Sequence, residues 1–452
     1  MRQEIGRSGW LGAGRNLLWS WWFWVTIAIA FKAGSHGNFA VGLAGVGLFL
    51  YLVAPREQIP RYGLRSAFPV SSREFLSTVV GAAGAPFIPN NKVSILTDGD
   101  RFYPAMLDAI GNAKKTITME TYIYWKGDVG RRFAEAFAER ARAGVKIKLL
   151  LDAFGSGTIG KKILNTLRES GCEVAWYNRI LFKAIGHFNH RNHRKSLIVD
   201  GRIAFTGGAG IGDQWQGHGQ DPAHWHDMQV RIEGPGATGL QAGFAQNWLQ
   251  ATGELITGPN YFPPPDPAGT LSAQILLSSP KSESSSVRIM YYLSIISACE
   301  RIYMANPYFI PSDSAVEILI KAKRRGVDVK IMVAGTHNDM RISRYASDHL
   351  YGKLLEAGIE IYEYNRTMLH QKTMVVDGLW LTIGTTNFDN RSFALDEESN
   401  VCVADRELAA KLEDIFKEDL KSCERVRLEQ WRKRGIRKRV LGATCVFLKH
   451  QI

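Results

Sequence analysis

His193-Arg194-Lys195-Ser196-Leu197-Ile198-Val199-Asp200, followed after six residues by Gly207-Gly208-Ala209-Gly210, has a second copy in the same chain. The copy reads His370-Gln371-Lys372-Thr373-Met374-Val375-Val376-Asp377, followed after six residues by Gly384-Thr385-Thr386-Asn387. His and Lys two positions apart on a strand point to one face, because strand side chains alternate. Each copy therefore sets one imidazole beside one cation. A lone H-x-K arises often by chance on surface strands. Two copies with matched Asp spacing and matched glycine turns mark a duplication.

The duplication extends outward from the motifs. Arg142-Ala143-Gly144-Val145-Lys146-Ile147-Lys148 echoes Arg324-Arg325-Gly326-Val327-Asp328-Val329-Lys330. Both predict a helix end, a capping glycine and an alternating strand. Gly171 to Asn178 echoes Gly358 to Asn365, but the first copy then holds about ten extra residues, around Arg179–Phe188, before its motif. Helical stretches such as Arg131–Arg142 and Ala315–Arg324 alternate with strands, which predicts an α/β fold with a mixed sheet covered by helices. The repeats are placed at 93–253 and 272–424. Between them Thr257 to Pro267 is too rich in proline for a central element, and Ser278 to Ser286 reads as a polar surface loop.

The net charge is +13, and it sits at the ends. Residues 1–65 carry seven cations against two acids, residues 425–452 carry nine against one, and residues 66–424 sum to zero. A nuclease would spread cations over its catalytic body to meet backbone phosphates. Here they flank two uncharged apolar segments, Leu17–Phe31 and Phe39–Ala54. At ~1.5 Å per residue each reaches roughly 22–24 Å, short of a hydrocarbon core of ~30 Å. Snorkelling of Arg15 and Lys32 and interfacial tryptophans would make up the difference. A two-helix membrane hairpin within residues 1–65 fits best; a shallow interfacial hairpin and a cleaved signal peptide are the alternatives. Arginines outside both segments place both ends, and the catalytic body, on the cytoplasmic side. In 425–452, Leu428, Trp431, Ile436, Val440 and Leu441 recur among the cations, which predicts a basic amphipathic helix lying on anionic lipid. Cys172, Cys299, Cys402, Cys423 and Cys445 are odd in number and form no C-x2-C pair, so neither a disulfide framework nor a zinc site is indicated.

The paired motif resembles the signature of the phospholipase D superfamily, H-x-K-x4-D-x6-G, then a small or hydroxyl residue, then x-N. The second copy matches through Gly384, Thr385 and Asn387; the first departs at Gly208 and Gly210. Within the superfamily the chain is similar to bacterial cardiolipin synthases through His193-Arg194-Lys195, Thr206-Gly207-Gly208, Asn387-Phe388-Asp389-Asn390-Arg391-Ser392, Met119 to Tyr124, Asn306 to Pro311 and Leu428 to Arg434. The resemblance implies two tandem phospholipase D-like α/β repeats packed as a pseudo-twofold dimer, behind the N-terminal hairpin. It also implies a two-step displacement through a phosphohistidine, with no metal and no cofactor.

The residues offer that chemistry directly. One neutral imidazole attacks and one protonated imidazole donates, which a pair near pKa ~6.5 supplies. His193 is the expected nucleophile and His370 its partner. Lys195 and Lys372 suit the non-bridging oxygens, with Thr385 and Asn387 as neutral donors. Asp227 and Glu398, 34 and 28 residues after their motif histidines and each placed before a strand, are expected to orient the imidazoles. Asp200 and Asp377 belong to the catalytic signature by resemblance, although their Asp-Gly turns suit bracing a loop. Histidines 187, 190 and 193 and histidines 218, 224 and 226 invite a metal reading, but they lie in Gly- and Asn-rich stretches without a ligand pattern.

The function expected is a membrane-bound phosphatidyltransferase that makes cardiolipin from two phosphatidylglycerol molecules and releases glycerol. The alternative is a phospholipase D that passes the same intermediate to water. A nucleic-acid phosphodiesterase is disfavoured by the neutral catalytic body. The partners are anionic phospholipids and the bacterial membrane.

Overall fold

A computed structural model describes residues 68–178, 190–280 and 285–447. The N-terminal apolar segments and the Arg179–Phe188 insertion lie outside the described residues. Among the described helices none is long and apolar enough to cross a membrane.

The chain enters through α1 (Arg73–Ala83), capped by the Ser72 hydroxyl on the Phe75 N–H at 3.1 Å. The first copy then runs β1 (Phe87–Thr97), α2 (Gly99–Gly111), β2 (Thr116–Thr121), α3 (Asp128–Arg142), β3 (Lys146–Asp152), α4 (Lys161–Glu169), β4 (Glu173–Tyr177), β5 (Arg191–Asn192), β6 (Ser196–Val199), β7 (Ile203–Gly207), β8 (Met228–Glu233) and α5 (Ala237–Thr252). The second copy runs β9 (Leu271–Ser278), α6 (Ser286–Ser297), β10 (Arg301–Ala305), α7 (Asp313–Arg324), β11 (Asp328–Ala334), α8 (Arg341–Glu356), β12 (Glu360–Tyr364), β13 (Thr373–Val376), β14 (Trp380–Gly384), α9 (Asn390–Ala394), β15 (Asp396–Ala404), α10 (Arg406–Leu420) and β16 (Cys423–Arg425). Two short helices close it, α11 (Leu428–Arg432) and α12 (Ile436–Phe447).

All these strands join one sheet in the order β16-β12-β11-β10-β13-β14-β15-β9-β1-β8-β7-β6-β2-β3-β4, with β5 set against β15. Apart from β16, the order mirrors itself about the antiparallel β9–β1 pair. With the edge strand β16 set aside, the outer three strands of each half are parallel and the inner ones antiparallel, giving a mixed sheet. Parallel strands buried on both faces need no alternation. Accordingly Ile147 to Asp152 of β3 are all buried. Phe102, Phe133 and Phe137 from α2 and α3 pack over the first half, and Tyr291, Leu319 and Leu354 from α6, α7 and α8 over the second. The opposite face is shared: Leu240, Phe244 and Trp248 of α5 and Leu412 of α10 lie over Val230 and Val375, one from each half.

Asp200-Gly201 and Asp377-Gly378 form matching hairpin turns, with φ of 52° and 64° in the first and 51° and 57° in the second. Two consecutive positive φ values suit the twist of a tight hairpin, and Asp or Asn followed by Gly tolerates them best. The Asp200 carboxylate accepts from the N–H groups of Lys114, Lys115 and Thr116 at 2.7–2.9 Å. Asp377 does the same for Cys299, Glu300 and Arg301 at 2.8–2.9 Å. Both therefore hold the starts of β2 and β10, at the far ends of β6 and β13 from the motif lysines. In this position the two carboxylates brace the strands that carry the site.

The tail differs from a single surface helix. A break at Lys433–Gly435 separates α11 from α12, and the Trp431 indole is packed on α8, where it donates to the Asp348 carbonyl at 2.7 Å. The five cysteines are free thiols.

Candidate active site

The motif histidines are delivered to one place by short parallel pairings between the halves. Arg191 and Asn192 of β5 align with Asp396 and Glu397 of β15, and His193 N–H donates to the Glu397 carbonyl at 3.0 Å. In the other half His226 N–H donates to the Met368 carbonyl at 2.9 Å, and His370 N–H to the His226 carbonyl at 2.7 Å. The pairing crosses the molecule. His193 Nδ1 lies 3.0 and 3.1 Å from the two Glu398 oxygens, and His370 Nδ1 lies 2.7 Å from Asp227 Oδ2. Sequence spacing had set each carboxylate beside the histidine of its own repeat; the structure exchanges them, because each carboxylate-bearing segment pairs with the motif loop of the opposite half. Glu398 also lies inside β15 rather than before a strand.

With Nδ1 held by a carboxylate, Nε2 of each imidazole is left to meet a reacting group. Lys195 Nζ donates to the His193 carbonyl at 2.8 Å, and Lys372 Nζ to the His370 carbonyl. Two tyrosines not singled out by the sequence complete the half-sites. The Tyr122 ring lies 5.4 Å from His193 and 5.7 Å from Lys195 Nζ; Tyr308 lies 6.2 Å from His370 and 5.9 Å from Lys372 Nζ. Aligning Thr121-Tyr122-Ile123 with Pro307-Tyr308-Phe309 across the repeats is the signal that would have found them.

The two half-sites are not equivalent. Trp215 and Trp225 add rings 5.6 and 5.3 Å from His370. Thr385 Oγ1 donates to Glu398, so this hydroxyl is committed to the carboxylate and is not the free phosphate donor expected for it. Asn387 keeps a buried side-chain oxygen without a partner. In the first half, where Gly208 replaces the hydroxyl residue, the Trp215 indole Nε1 donates to Asp227 Oδ2 at 2.9 Å, and Met228 N–H to Oδ1 at 2.7 Å. Gly208 is enforced by crowding. A Cβ there would stand 2.2 Å from Asp227 Oδ1 and 2.7 Å from the His370 carbonyl oxygen, and one at Gly210 would stand 2.9 Å from Ile123 Cβ. Gly208→Ser is therefore expected to cost about 1–3 kcal/mol as an overpacked site and to lower turnover by displacing Asp227. An unchanged denaturation midpoint together with unchanged turnover would contradict the close packing.

Burial lowers the proton affinity of His193 well below the usual imidazole value, with Lys195, Lys372 and His370 adding to the effect. His370 is lowered too, by burial and Lys372, while Asp227 opposes the shift. The carboxylates diverge. Burial pushes Glu398 well above the usual carboxylate range. Burial also acts to raise Asp227, but His370 and Lys372 outweigh it and hold the group below its ordinary value. Burial pushes Lys195 down to about 7 and Lys372 to about 8. An arriving phosphodiester anion would favour the protonated form of all four bases, so the lysines suit a site that charges on binding substrate.

Arg194, between the motif His and Lys, is not aimed at substrate. It is 1% exposed and donates to the carbonyls of Glu398, Gly243 and Ser278 and, at 2.7 Å, to Glu397. It ties the first motif to the second half. The extra histidines take separate carboxylates: His218 lies 3.4 Å from Asp100 and His224 2.8 Å from Asp221. Among the described residues no group of three or more His, Cys, Asp or Glu side chains gathers as a metal site. His226 is buried between two aspartates, with Nδ1 2.8 Å from Asp98 and Nε2 3.0 Å from Asp419. Burial acts to lower it, but Asp419 and Asp98 outweigh burial and raise it well above the usual value. With the folded value raised, the imidazolium stabilises fully below ~6.5, and that contribution is lost as pH rises through the folded value. His226→Gln is expected to lower the melting temperature at pH 6, with the gap to wild type narrowing at alkaline pH. A gap independent of pH would contradict the charged clamp.

A duplicated α/β sheet that brings a His–Lys pair from each copy to one centre, each imidazole held by a carboxylate of the other copy, is a phospholipase D-like protein. The profile described as "Cardiolipin synthase, PLD-like domain" matches residues 106–246 and 292–420, and the chain belongs to this family. It is 34% identical over 361 residues to a cardiolipin synthase of Clostridium perfringens, covering 78% of this chain and 75% of that one. It is 34% identical over 393 residues to cardiolipin synthase 1 of Bacillus anthracis, covering 84% and 77%. Phosphatidylserine synthase of Haemophilus influenzae superposes with a TM-score of 0.63 at 14% identity, covering 84% of this chain and 100% of that one, which is a likeness of fold.

Proposed function

We propose that this protein is a phosphatidyltransferase that makes cardiolipin from two phosphatidylglycerol molecules, working at the cytoplasmic face of the bacterial membrane. The observation that carries this reading is the crossed pair of His–carboxylate half-sites in a member of the cardiolipin synthase family. His193 Nε2 attacks phosphorus of the first lipid, and the P–O bond to its head-group glycerol breaks. The leaving oxygen takes the proton of His370, so glycerol departs and phosphatidyl-His193 remains. His370, now neutral, takes the hydroxyl proton of a second phosphatidylglycerol, whose oxygen attacks phosphorus and frees His193. Lys195 and Lys372 balance the non-bridging oxygens, and Asp227 stabilises the imidazolium of His370. His193 is given the attacking role because its imidazole is held further toward the neutral form than that of His370.

Water at ~55 M competes with the acceptor unless the site is closed to it. With phosphatidylglycerol as the only lipid, diphosphatidylglycerol plus free glycerol is expected to exceed phosphatidic acid. Added glycerol should drive the reaction backward, since one phosphodiester is exchanged for another. Phosphatidic acid as the main product at every lipid density would replace the transferase with a hydrolase.

A further inference from the structure

The tail and α8 together form a surface with its own chemistry. Gly352 accommodates the Trp431 ring so closely that a Cβ there would meet it at 2.4 Å, and the Arg434 guanidinium lies 3.6 Å over that ring and 3.2 Å from Asp348. Further along α12, Gly442 lies against Tyr345 and His349. The contacts run in opposite directions along the two helices, so the last turns of α12 lie toward the start of α8. That start adjoins the catalytic centre, because Asp339 accepts from the Tyr308 hydroxyl at 2.6 Å and Tyr308 borders His370.

What this surface exposes is unusual for the rest of the molecule. Eight large apolar side chains are exposed among the described residues, and four belong to these two elements: Ile436 (79%) and Val440 (59%) on α12, and Met340 (44%) and Ile342 (49%) at the start of α8. Ile436, Val440 and Ala443 follow helical spacing along one exposed face of α12. Lys433, Arg437, Lys438 and Arg439 flank it, all exposed. Arg437 and Arg439 make no ion pair with a described residue, and α12 contains no acid. A narrow apolar ridge bordered by unpaired cations matches the boundary of an anionic bilayer, where apolar side chains enter the acyl region and cations meet headgroups.

We infer that α12 and the Met340–Ile342 corner of α8 form the face on which the catalytic body rests on an anionic lipid bilayer, bringing the His370 side of the site to the lipid surface. The inference goes beyond the lipid-transfer reading and rests on it only where turnover is measured.

Contact is read first, without turnover. The full chain, with Val440 replaced by the photoreactive benzoylphenylalanine, is reconstituted in vesicles of phosphatidylglycerol and phosphatidylcholine and irradiated. A covalent lipid adduct is expected, at least fivefold weaker in pure phosphatidylcholine and absent when the probe replaces Leu249 instead. No lipid adduct at 440, or an adduct to a second copy of the chain, overturns the inference. Turnover is read second. Ile436→Glu combined with Val440→Glu is expected to lower turnover of bilayer phosphatidylglycerol at least tenfold and to leave water-soluble short-chain phosphatidylglycerol unchanged. Equal losses on both substrates, or none on the bilayer, overturn it. If neither substrate is turned over by the wild type, the transferase reading fails while the photochemical result still decides the docking face.

Discussion

His193→Ala is expected to lower phosphatidyl transfer by about 10⁴-fold or more, because it removes the atom that carries the phosphatidyl group between donor and acceptor. His370→Ala is expected to cost about 10²–10⁴-fold with phosphatidylglycerol, the usual range for a general acid or base. The two variants separate with a donor whose leaving group is an acidic phenol. Such a group departs without a proton, so His370→Ala should still release one equivalent of phenol per site in a first burst. His193→Ala should release none. The reverse pattern would make His370 the nucleophile, and full activity in either variant would end the mechanism.

The second large effect comes from the unequal carboxylates. Asp227 is held in its ionised form against His370, while burial favours the neutral form of Glu398 beside His193. Asp227→Asn should therefore lose about 10³–10⁴-fold, since an amide stabilises neither the imidazolium nor its tautomer. Glu398→Gln, which mimics a protonated carboxyl, should lose markedly less. The basic limb of the pH–rate profile should move to lower pH in Asp227→Asn, because His370 then gives up its proton more readily. In Glu398→Gln that limb should stay where it is. Equal losses, or a larger loss for Glu398→Gln, would reverse the roles of the two half-sites.

Much of this was legible in the chain because it is written twice. The capping glycines Gly144 and Gly326 and the turns at Asp200 and Asp377 recur at matched places, and each pair adopts matching positive φ. Repetition supplied what one sequence otherwise lacks, a second reading of each element. The mirrored order of the strands follows from packing two copies edge to edge.

The crossed pairing was not legible. His193 and Glu398 are 205 positions apart, and His370 and Asp227 are 143 apart. Spacing within a repeat suggested nearer partners, and only the docking of β5 on β15 and the pairing of His226 with Leu369 decide otherwise. The places of Arg194 and His226 were not legible for a related reason. A charged side chain in a motif, or a histidine in a cluster, looks functional in sequence, yet Arg194 meets carbonyls of both halves and His226 meets two aspartates brought in by α2 and α10. Gly208 reads as a defect against the family signature. It becomes intelligible once Trp215, which supplies the missing donor to Asp227, is seen beside it.

The central claim is that the phosphatidyl group rests on His193 before it reaches the second lipid. Mixing the full-length protein with phosphatidylglycerol, quenching within one turnover and sequencing the modified peptide by mass spectrometry tests it most directly. The account predicts a phosphatidyl adduct on His193 that forms and decays at the rate of cardiolipin production, and that is lost when a second lipid is added in excess. An adduct on His370, or cardiolipin formed with no adduct at either histidine, would contradict it.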